Sequence, residues 1–144
     1  VRLAAEAADV VRPAAAARGI TLKVASGPDA NVRGEVVLLR EALVNLLQNA
    51  VEFSPSGGEV GLAVAASPGR VGFTVEDRGA GVPDYALPRV FERFYSLPRP
   101  GTEKKSTGLG LALVKEIAHL HGGDAALANR DEGGARAEFW VPVG

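Results

Sequence analysis

The sequence has no cysteine, which excludes disulfide bonds and metal sites built on thiolates. It has no apolar run close to the roughly 20 residues that a membrane-spanning helix needs. It also lacks an excess of one charge, because the net charge of -1 provides no general attraction to nucleic acids or to anionic membranes. We therefore expect no nucleic-acid partner, and the missing cysteines are compatible with a reducing compartment.

Length and composition indicate one globular domain. The chain has 144 residues, of which 47% are apolar and 23% charged, and this is enough for a hydrophobic core. Eighteen glycines and nine prolines, several of them clustered, indicate shaped loops. Because the chain begins without Met and already inside a periodic apolar pattern, we expect it to be a piece of a longer parent protein.

Hydrophobic periodicity predicts helices and strands in a mixed order. Helices are predicted at residues 4–18, with Pro13 as a kink or boundary, at 35–52, and from about 107 to 120. Strands are predicted at 20–25, 59–67, 70–77, 124–130 and 135–143, with a hairpin turn at Glu132-Gly133-Gly134. This order favours an α/β two-layer sandwich, in which helices cover one face of a mixed sheet.

A long irregular segment lies near residues 96–106. Loops of this length inside compact domains often act as functional lids. Arg99, Lys104 and Lys105 would suit a lid that faces phosphate. Taken alone, however, the segment is better explained as a solvated surface loop.

Two amides, Asn45 and Asn49, interrupt the apolar stripe of the helix predicted at 35–52. They are four residues apart and therefore project from the same face. Buried amides need polar partners, and a Mg²⁺ ion with its waters would supply them, since Mg²⁺ prefers oxygen ligands. The alternative is two ordinary surface amides, which the pair alone favours.

The segment DRGAG (77–81) directly follows a predicted strand. A carboxylate at the end of a strand can accept a hydrogen bond from an exocyclic amine such as that of adenine. Glycine lets the backbone turn sharply and approach a flat ring. A glycine turn with a capping Asp is the alternative reading of these residues.

Two further segments suggest phosphate binding. STGLGL (106–111) leads into a helix, where free backbone N–H groups and the helix dipole favour an anion, although a capped and tightly packed helix start explains it as well. A dinucleotide fingerprint is not completed, because Leu113 stands where a third glycine is needed. In FERFY (91–95), the aromatic residues could anchor a lid and Arg93 could face phosphate, or the two Phe residues could simply pack in the core.

In this order and spacing, the motifs resemble those of the GHKL (Bergerat-fold) ATPases, and among them the sensor histidine kinases. NLLQNAVEFS matches the N box of that family, DRGAGVP the G1 box, FERFYS the F box and STGLGLALVKEIAHLHGG the G2 box. The run PDYALPRVFERFYSLPRP is similar in particular to carbon-source-responsive sensor kinases. The resemblance implies that residues 1–144 form the ATP-binding catalytic domain, with a mostly antiparallel sheet and a flexible ATP lid.

The resemblance implies a Mg²⁺-ATP site. Asn49 would ligate Mg²⁺ bridging the triphosphate, with Asn45 supporting it one turn earlier. Asp77 would read the adenine amino group in a pocket shaped by Gly79 and Gly81. The remaining nucleotide contacts would come from Lys105, Thr107, Gly108, Leu109, Gly110 and Leu111.

Two positions depart from the family pattern. The family often has Lys or Arg where this chain has Glu52, so we predict that Lys105 or Arg93 supplies the missing positive charge. If Lys105→Ala and Arg93→Ala both left nucleotide affinity unchanged, this prediction would be wrong. Ser106 stands where many relatives have another glycine, which predicts a stiffer end of the lid.

The resemblance also implies the reaction and its partners. Hydrolytic relatives have Glu in place of Asn45, so this site should hydrolyse ATP poorly and transfer the γ-phosphate instead. The acceptor would be a histidine on the dimerisation domain of the parent, followed by a response regulator. His119 and His121 lack the context of an acceptor, so the chain alone should not phosphorylate itself. The parent is expected to be a homodimer anchored in a bacterial inner membrane, with this domain in the cytoplasm.

Two other functions remain open at this stage. A serine kinase of the anti-sigma-factor type would share the ATP site. A degenerate module would bind nucleotide, or only a partner protein, as a regulatory scaffold. Glu52 keeps the scaffold open, whereas Asn49, Asp77 and the two glycine pairs favour a working site.

Overall fold

The computed structural model describes residues 3–25, 35–79, 81–82, 85–92 and 110–142. In chain order the elements are α1 (Leu3–Ala17), β1 (Thr21–Val24), α2 (Val36–Phe53), β2 (Glu59–Ser67), β3 (Arg70–Asp77), a 3₁₀ helix (Leu87–Arg89), α3 (Gly110–Leu120), β4 (Asp124–Asn129) and β5 (Ala135–Pro142). The predicted helices and strands are confirmed, and their ends agree to within one residue except at the start of α3. The irregular segment at 96–106 and the predicted helix start at 107–109 lie outside the described residues.

The five strands form one sheet in the order β1-β2-β3-β5-β4. β1 pairs with β2 in parallel, whereas β2 with β3, β3 with β5 and β4 with β5 pair in antiparallel orientation. The sheet is therefore mixed and mostly antiparallel, as predicted. Because β5 lies between β3 and β4, the hairpin that joins β4 to β5 is brought beside the end of β3.

The three helices pack on one face of this sheet. In β5, Ala137 and Phe139 are buried while the intervening Arg136 and Glu138 are exposed, which is the alternation of a half-covered sheet. The Phe139 ring stacks on that of Phe73 with centroids 6.0 Å apart. Burial of such a side chain contributes about 2–3 kcal/mol. The α/β two-layer sandwich is confirmed.

Helix α1 continues through Pro13, so the predicted boundary at that residue is wrong. Proline lacks the N–H that would bond to the carbonyl of Asp9 four residues earlier. Pro13 is on the exposed side of α1, where water can bond to that carbonyl instead. Among the described helices, none is both long enough and apolar enough to cross a bilayer.

The C-terminal end of α2 is held by an arginine from the end of α1. Nη1 of Arg18 donates to the carbonyl oxygens of Val51 at 2.6 Å and Glu52 at 2.7 Å, and Nη2 donates to that of Ser54 at 2.9 Å. The last carbonyls of a helix have no partner inside the helix. Arg18 supplies these partners and thereby fixes the end of the helix that carries both amides of the N box.

Candidate functional site

Asn45, Asn49 and Phe53 follow one another at intervals of four along one face of α2. With a rise of about 1.5 Å per residue, they span about 12 Å of the helix. Each end of this row contacts a glycine segment from elsewhere in the chain, so α2 brings three sequence motifs together.

At the N-terminal end of this row, Asn45 contacts the start of α3. Its Nδ2 donates to the carbonyl oxygen of Glu41 at 2.9 Å, and this bond orients the amide. A β-carbon built on Gly110 would come 3.1 Å from Oδ1 of Asn45. Such a distance is tighter than ordinary packing, so this close approach depends on glycine. The predicted N box and G2 box are in contact here.

In the middle of this row, Asn49 is half-buried. Its amide forms no hydrogen bond with any residue in the described ranges. A partly buried amide normally has a hydrogen-bond partner. Because none is found among the described residues, the amide oxygen and nitrogen of Asn49 are available to a ligand.

At the C-terminal end of this row, the backbone after β3 crosses the end of α2. A β-carbon on Gly79 would come 2.7 Å from the carbonyl oxygen of Phe53. No side chain fits at that distance, because the neighbouring atom belongs to a helix backbone. Glycine at residue 79 therefore allows the segment with Asp77 to lie against α2.

Asp77 is only 5% exposed at the end of β3. Its Oδ1 accepts hydrogen bonds from the backbone N–H groups of Gly79 at 2.9 Å and Ala135 at 3.3 Å. Oδ2 accepts no hydrogen bond within the described part of the chain. Burial raises the pKa of Asp77, although these two bonds and the charge of Arg130 act in the opposite direction. One oxygen thus orients the carboxylate, and the other can accept a bond from a ligand.

Gly81 has a φ of +81°, a conformation that favours glycine. A β-carbon there would come 2.7 Å from Oδ1 of Asn129. The same Oδ1 accepts a bond from the N–H of Val82 at 2.7 Å, and Nδ2 of Asn129 donates to the carbonyl of Val82 at 2.7 Å. The end of β4 therefore holds the backbone that follows the DRGAG segment.

The next residue, Arg130, holds the other end of this segment. Its Nη1 donates to the carbonyl of Asp77 at 3.3 Å, and its Nε lies 3.3 Å from a carboxylate oxygen of Glu76. Only 10% of its side chain is exposed. A β-carbon on Gly134 would overlap the carbonyl oxygen of Asp77, so the hairpin lies directly against the carboxylate-bearing backbone.

Sequence reasoning missed Asn129 and Arg130. It assigned Glu132-Gly133-Gly134 only as a turn, which is confirmed as the connection between β4 and β5. Both residues bond to backbone atoms of a distant segment, and such contacts leave no spacing pattern in the sequence. The only available signal was an Asn and an Arg shortly before a Gly-Gly turn.

Phe91 is partly buried and packs against the core, as the packing alternative predicted. Nζ of Lys115 lies 4.9 Å from the centre of its ring and donates to the carbonyl of Ala125 at 2.9 Å. Leu111 also packs against the core, so only its backbone is left for the predicted nucleotide contact. Glu52 is partly buried. The predicted site residues Arg93, Lys105, Thr107, Gly108 and Leu109 lie outside the described residues.

Both histidines have structural contacts. Nε2 of His119 lies 3.0 Å from a carboxylate oxygen of Asp124. Nδ1 of His121 lies 2.8 Å from the carbonyl of Ile117, and its Nε2 accepts a bond from the N–H of Glu35 at 3.1 Å. The Nδ1 contact is made to α3 itself, and the Nε2 contact joins the end of α3 to the residue before α2.

Comparison with known proteins gives one family. A family model described as "Histidine kinase-, DNA gyrase B-, and HSP90-like ATPase" matches residues 34–144. Sensor protein CreC of Escherichia coli (strain K12) is 48% identical over 124 residues, which are 86% of this chain and 26% of CreC. The chain thus spans about a quarter of the length of that relative. The match agrees with the similarity seen in residues 83–100.

Solved structures agree with this family. The mycobacterial sensor histidine kinase MprB superimposes with a TM-score of 0.82 at 30% identity, covering 97% of this chain and 91% of that one. Full-length ShkA, solved in complex with AMPPNP, gives a TM-score of 0.84 at 33% identity, covering 97% of this chain and 29% of ShkA.

Proposed function

The chain belongs to the family of histidine kinase-, DNA gyrase B- and HSP90-like ATPases, and from this premise we propose that it binds ATP with Mg²⁺ and transfers the γ-phosphate to a histidine. The acceptor histidine lies on the dimerisation domain of a parent sensor kinase, and a response regulator receives the phosphate next. Residues 1–144 are the ATP-binding catalytic domain of that parent, a homodimer anchored in a membrane.

The observation that supports this proposal is the row of contacts along α2. Asn45 contacts the start of α3, Asn49 has an amide without a hydrogen bond to any described residue, and Phe53 contacts the backbone beside Asp77. A phosphate-binding helix start and a base-reading carboxylate therefore flank a metal-type ligand along one helix face. A nucleoside triphosphate needs these three groups in this order.

Asp77 recognises the base. Its Oδ2 accepts a hydrogen bond from the adenine amino group, because Oδ1 is already occupied by the N–H groups of Gly79 and Ala135. Guanine has a carbonyl oxygen where adenine has the amine, so an ionised carboxylate would repel it. This arrangement selects adenine over guanine.

Asn49 would hold Mg²⁺ through its amide oxygen. The residue fits this role because its amide is half-buried and makes no hydrogen bond inside the described ranges, and because Mg²⁺ accepts a single protein ligand together with waters and phosphate oxygens. When bound, the ion neutralises charge on the phosphates.

The start of α3 receives the phosphates. Backbone N–H groups of Gly108 and Gly110, flanked by Leu109 and Leu111, bond to phosphate oxygens at the positive end of the helix dipole. Thr107 contacts the water network on the base side of the nucleotide. Lys105 or Arg93 supplies the positive charge that Glu52 does not. Of the residues proposed to contact the phosphates, only Gly110 and Leu111 are among the described residues.

In the transfer step, a nitrogen of the acceptor imidazole attacks the γ-phosphorus. The bond from that phosphorus to the β,γ-bridging oxygen breaks, and ADP leaves with the electron pair. Asn45 carries an amide and no basic carboxylate, so it does not activate water. The γ-phosphate is therefore kept for the histidine and hydrolysis stays slow.

Calorimetric titration of ADP, with and without Mg²⁺, tests the site. We expect Mg²⁺ to strengthen binding to the wild type and Asp77→Asn to weaken ADP binding by at least about tenfold, or about 1.4 kcal/mol. The Asn side chain can keep Oδ1 on both N–H groups, but it places Nδ2 as a donor against the adenine amine. A wild type that binds no ADP at high protein concentration would leave the scaffold as the better explanation.

Incubation with labelled ATP and a separate acceptor hairpin tests the transfer. We expect acid-labile label on the hairpin histidine and none on serine. A double variant, His119→Gln with His121→Gln, controls for labelling of the chain itself. Label that appeared on this chain and disappeared in the double variant would contradict the need for a separate acceptor.

A further inference from the structure

The hairpin between β4 and β5 contacts the backbone at both ends of the segment that carries Asp77, Gly79 and Gly81. Arg130 bonds to the carbonyl of Asp77 before it, and Asn129 bonds to Val82 after it. Because these two residues are adjacent in the chain, one short stretch of the hairpin contacts both Asp77 and Val82.

The contact of Asn129 is reciprocal. Its Oδ1 accepts the N–H of Val82 and its Nδ2 donates to the carbonyl of Val82, both at 2.7 Å. A side-chain amide thus pairs with one residue as a neighbouring strand would. Oδ1 also lies over Gly81, where a β-carbon would come within 2.7 Å of it.

This pairing orients a segment that has little support from its own side chains. Gly79 and Gly81 have no side chains to pack, and Gly81 has a φ of +81°. The carboxylate is fixed by N–H groups of Gly79 and Ala135, and Ala135 is the first residue of β5. Movement of the hairpin relative to the segment would therefore displace both the carboxylate and the backbone around the base.

We infer that Asn129 is a positioning residue for nucleotide binding: its amide holds Val82 and so keeps the segment after β3 at the separation from Asp77 that adenine recognition requires. This inference rests on the proposed function, since it assigns the support of the same site. Asn129 touches no nucleotide itself and acts through Gly81 and Val82.

The test compares two substitutions of Asn129 with a control in the same hairpin. Asn129→Ala removes both bonds, and Asn129→Asp keeps an acceptor for the Val82 N–H but puts a carboxylate oxygen against its carbonyl. Asp131→Ala is the control, because Asp131 is exposed in the turn and has no side-chain hydrogen bond in the described part of the chain. Each purified domain is titrated with ADP and IDP in the presence of Mg²⁺, and its unfolding by urea is measured.

Two readouts separate positioning from simple structural support. We expect Asn129→Ala to weaken ADP binding by about tenfold and to lower the preference for ADP over IDP several-fold, since IDP lacks the amine that Asp77 reads. Asn129→Asp should fall between Asn129→Ala and wild type, and Asp131→Ala should match wild type. Because the Asn129 side chain is exposed, we expect all variants to remain folded under the titration conditions.

Three results would overturn the inference. Asn129→Ala could bind ADP as wild type does, or it could lose affinity without any change in the preference for ADP over IDP. It could also lose affinity only in proportion to the fraction unfolded in urea-free buffer. A wild type that fails to bind ADP is a different result, since it contradicts the proposed function itself.

Discussion

Oδ1 of Asn45 lies against Gly110, at a distance where a β-carbon on residue 110 would be 3.1 Å from it. The amide has little freedom to turn away, because its Nδ2 is bonded to the carbonyl of Glu41 at 2.9 Å. Helix α2 and the start of α3 therefore make contact between the amide of Asn45 and the backbone of Gly110, which has no side chain.

Gly110→Ala should separate function from stability. Alanine is favoured over glycine in helices by up to about 1 kcal/mol, so the free energy of unfolding should change by less than that amount. The added methyl group must push Asn45 or α3 by a few tenths of an ångström, and we expect Mg²⁺-dependent ADP affinity to fall at least about fivefold. Gly61→Ala, on β2 with open space around it, is the matched control. Unchanged ADP affinity in Gly110→Ala would show that this contact is not needed.

The pH dependence of folding should reveal the buried carboxylate. Because burial raises the pKa of Asp77 above 3.8, the native state holds a proton that the unfolded state has released in the interval between the two pKa values. Stability contributed by this group is full below the unfolded pKa and is lost as pH rises through the folded pKa. Urea unfolding of wild type and Asp77→Asn across that interval isolates the effect, since the other carboxylates are common to both. The free energy of unfolding of Asp77→Asn relative to wild type should increase with pH, and a decrease would mean that the hydrogen bonds outweigh burial.

The local structure of this chain could be read from its sequence because local patterns determine it. β2 and β3 begin and end at the predicted residues, since Pro68-Gly69 separates two apolar runs. The predicted bounds of α1 and α2 differ from the observed ones by one residue at each end. The end of a helix depends on contacts such as the three bonds from Arg18, which a local pattern does not contain. The boundary predicted at Pro13 was wrong because an exposed position tolerates the missing N–H of proline.

The arrangement of the strands did not follow from any local pattern. Placing β5 between β3 and β4 brings Ala135 to the Oδ1 of Asp77, and no property of either residue indicates this neighbour. Asp77 could be proposed from its motif because a carboxylate in front of two glycines suggests a chemistry. Asn129 could not, because its partners are the backbone atoms of Val82 and any residue there would provide them.

Arg18→Ala should destabilise the domain more than other surface arginine substitutions. It removes three bonds from a charged donor to carbonyls at the end of α2, one of which, that of Val51, also accepts a longer bond from the N–H of Ser54 at 3.3 Å. Bonds of this kind contribute about 1.5–3 kcal/mol each but are not additive, so we expect a loss of about 2–4 kcal/mol in urea unfolding. Arg18→Lys keeps the charge without the fork and should lose less. Arg12→Ala, with a half-exposed side chain, should cost less than about 1 kcal/mol, and an equal effect of the two Ala substitutions would contradict the capping role.

Two neighbouring amides of α2 offer a test of the metal ligand. Asn49 is half-buried on the face shared with Asn45, whereas Gln48 is exposed, and neither amide has a hydrogen bond inside the described ranges. Asn49→Ala should abolish the strengthening of ADP binding by Mg²⁺ while leaving metal-free binding close to wild type, because the adenine contact with Asp77 is untouched. Gln48→Ala should keep the full effect of Mg²⁺. The comparison is made by titrating ADP at several Mg²⁺ concentrations, and a Mg²⁺ effect that survives in Asn49→Ala would show that the ion is held by other groups.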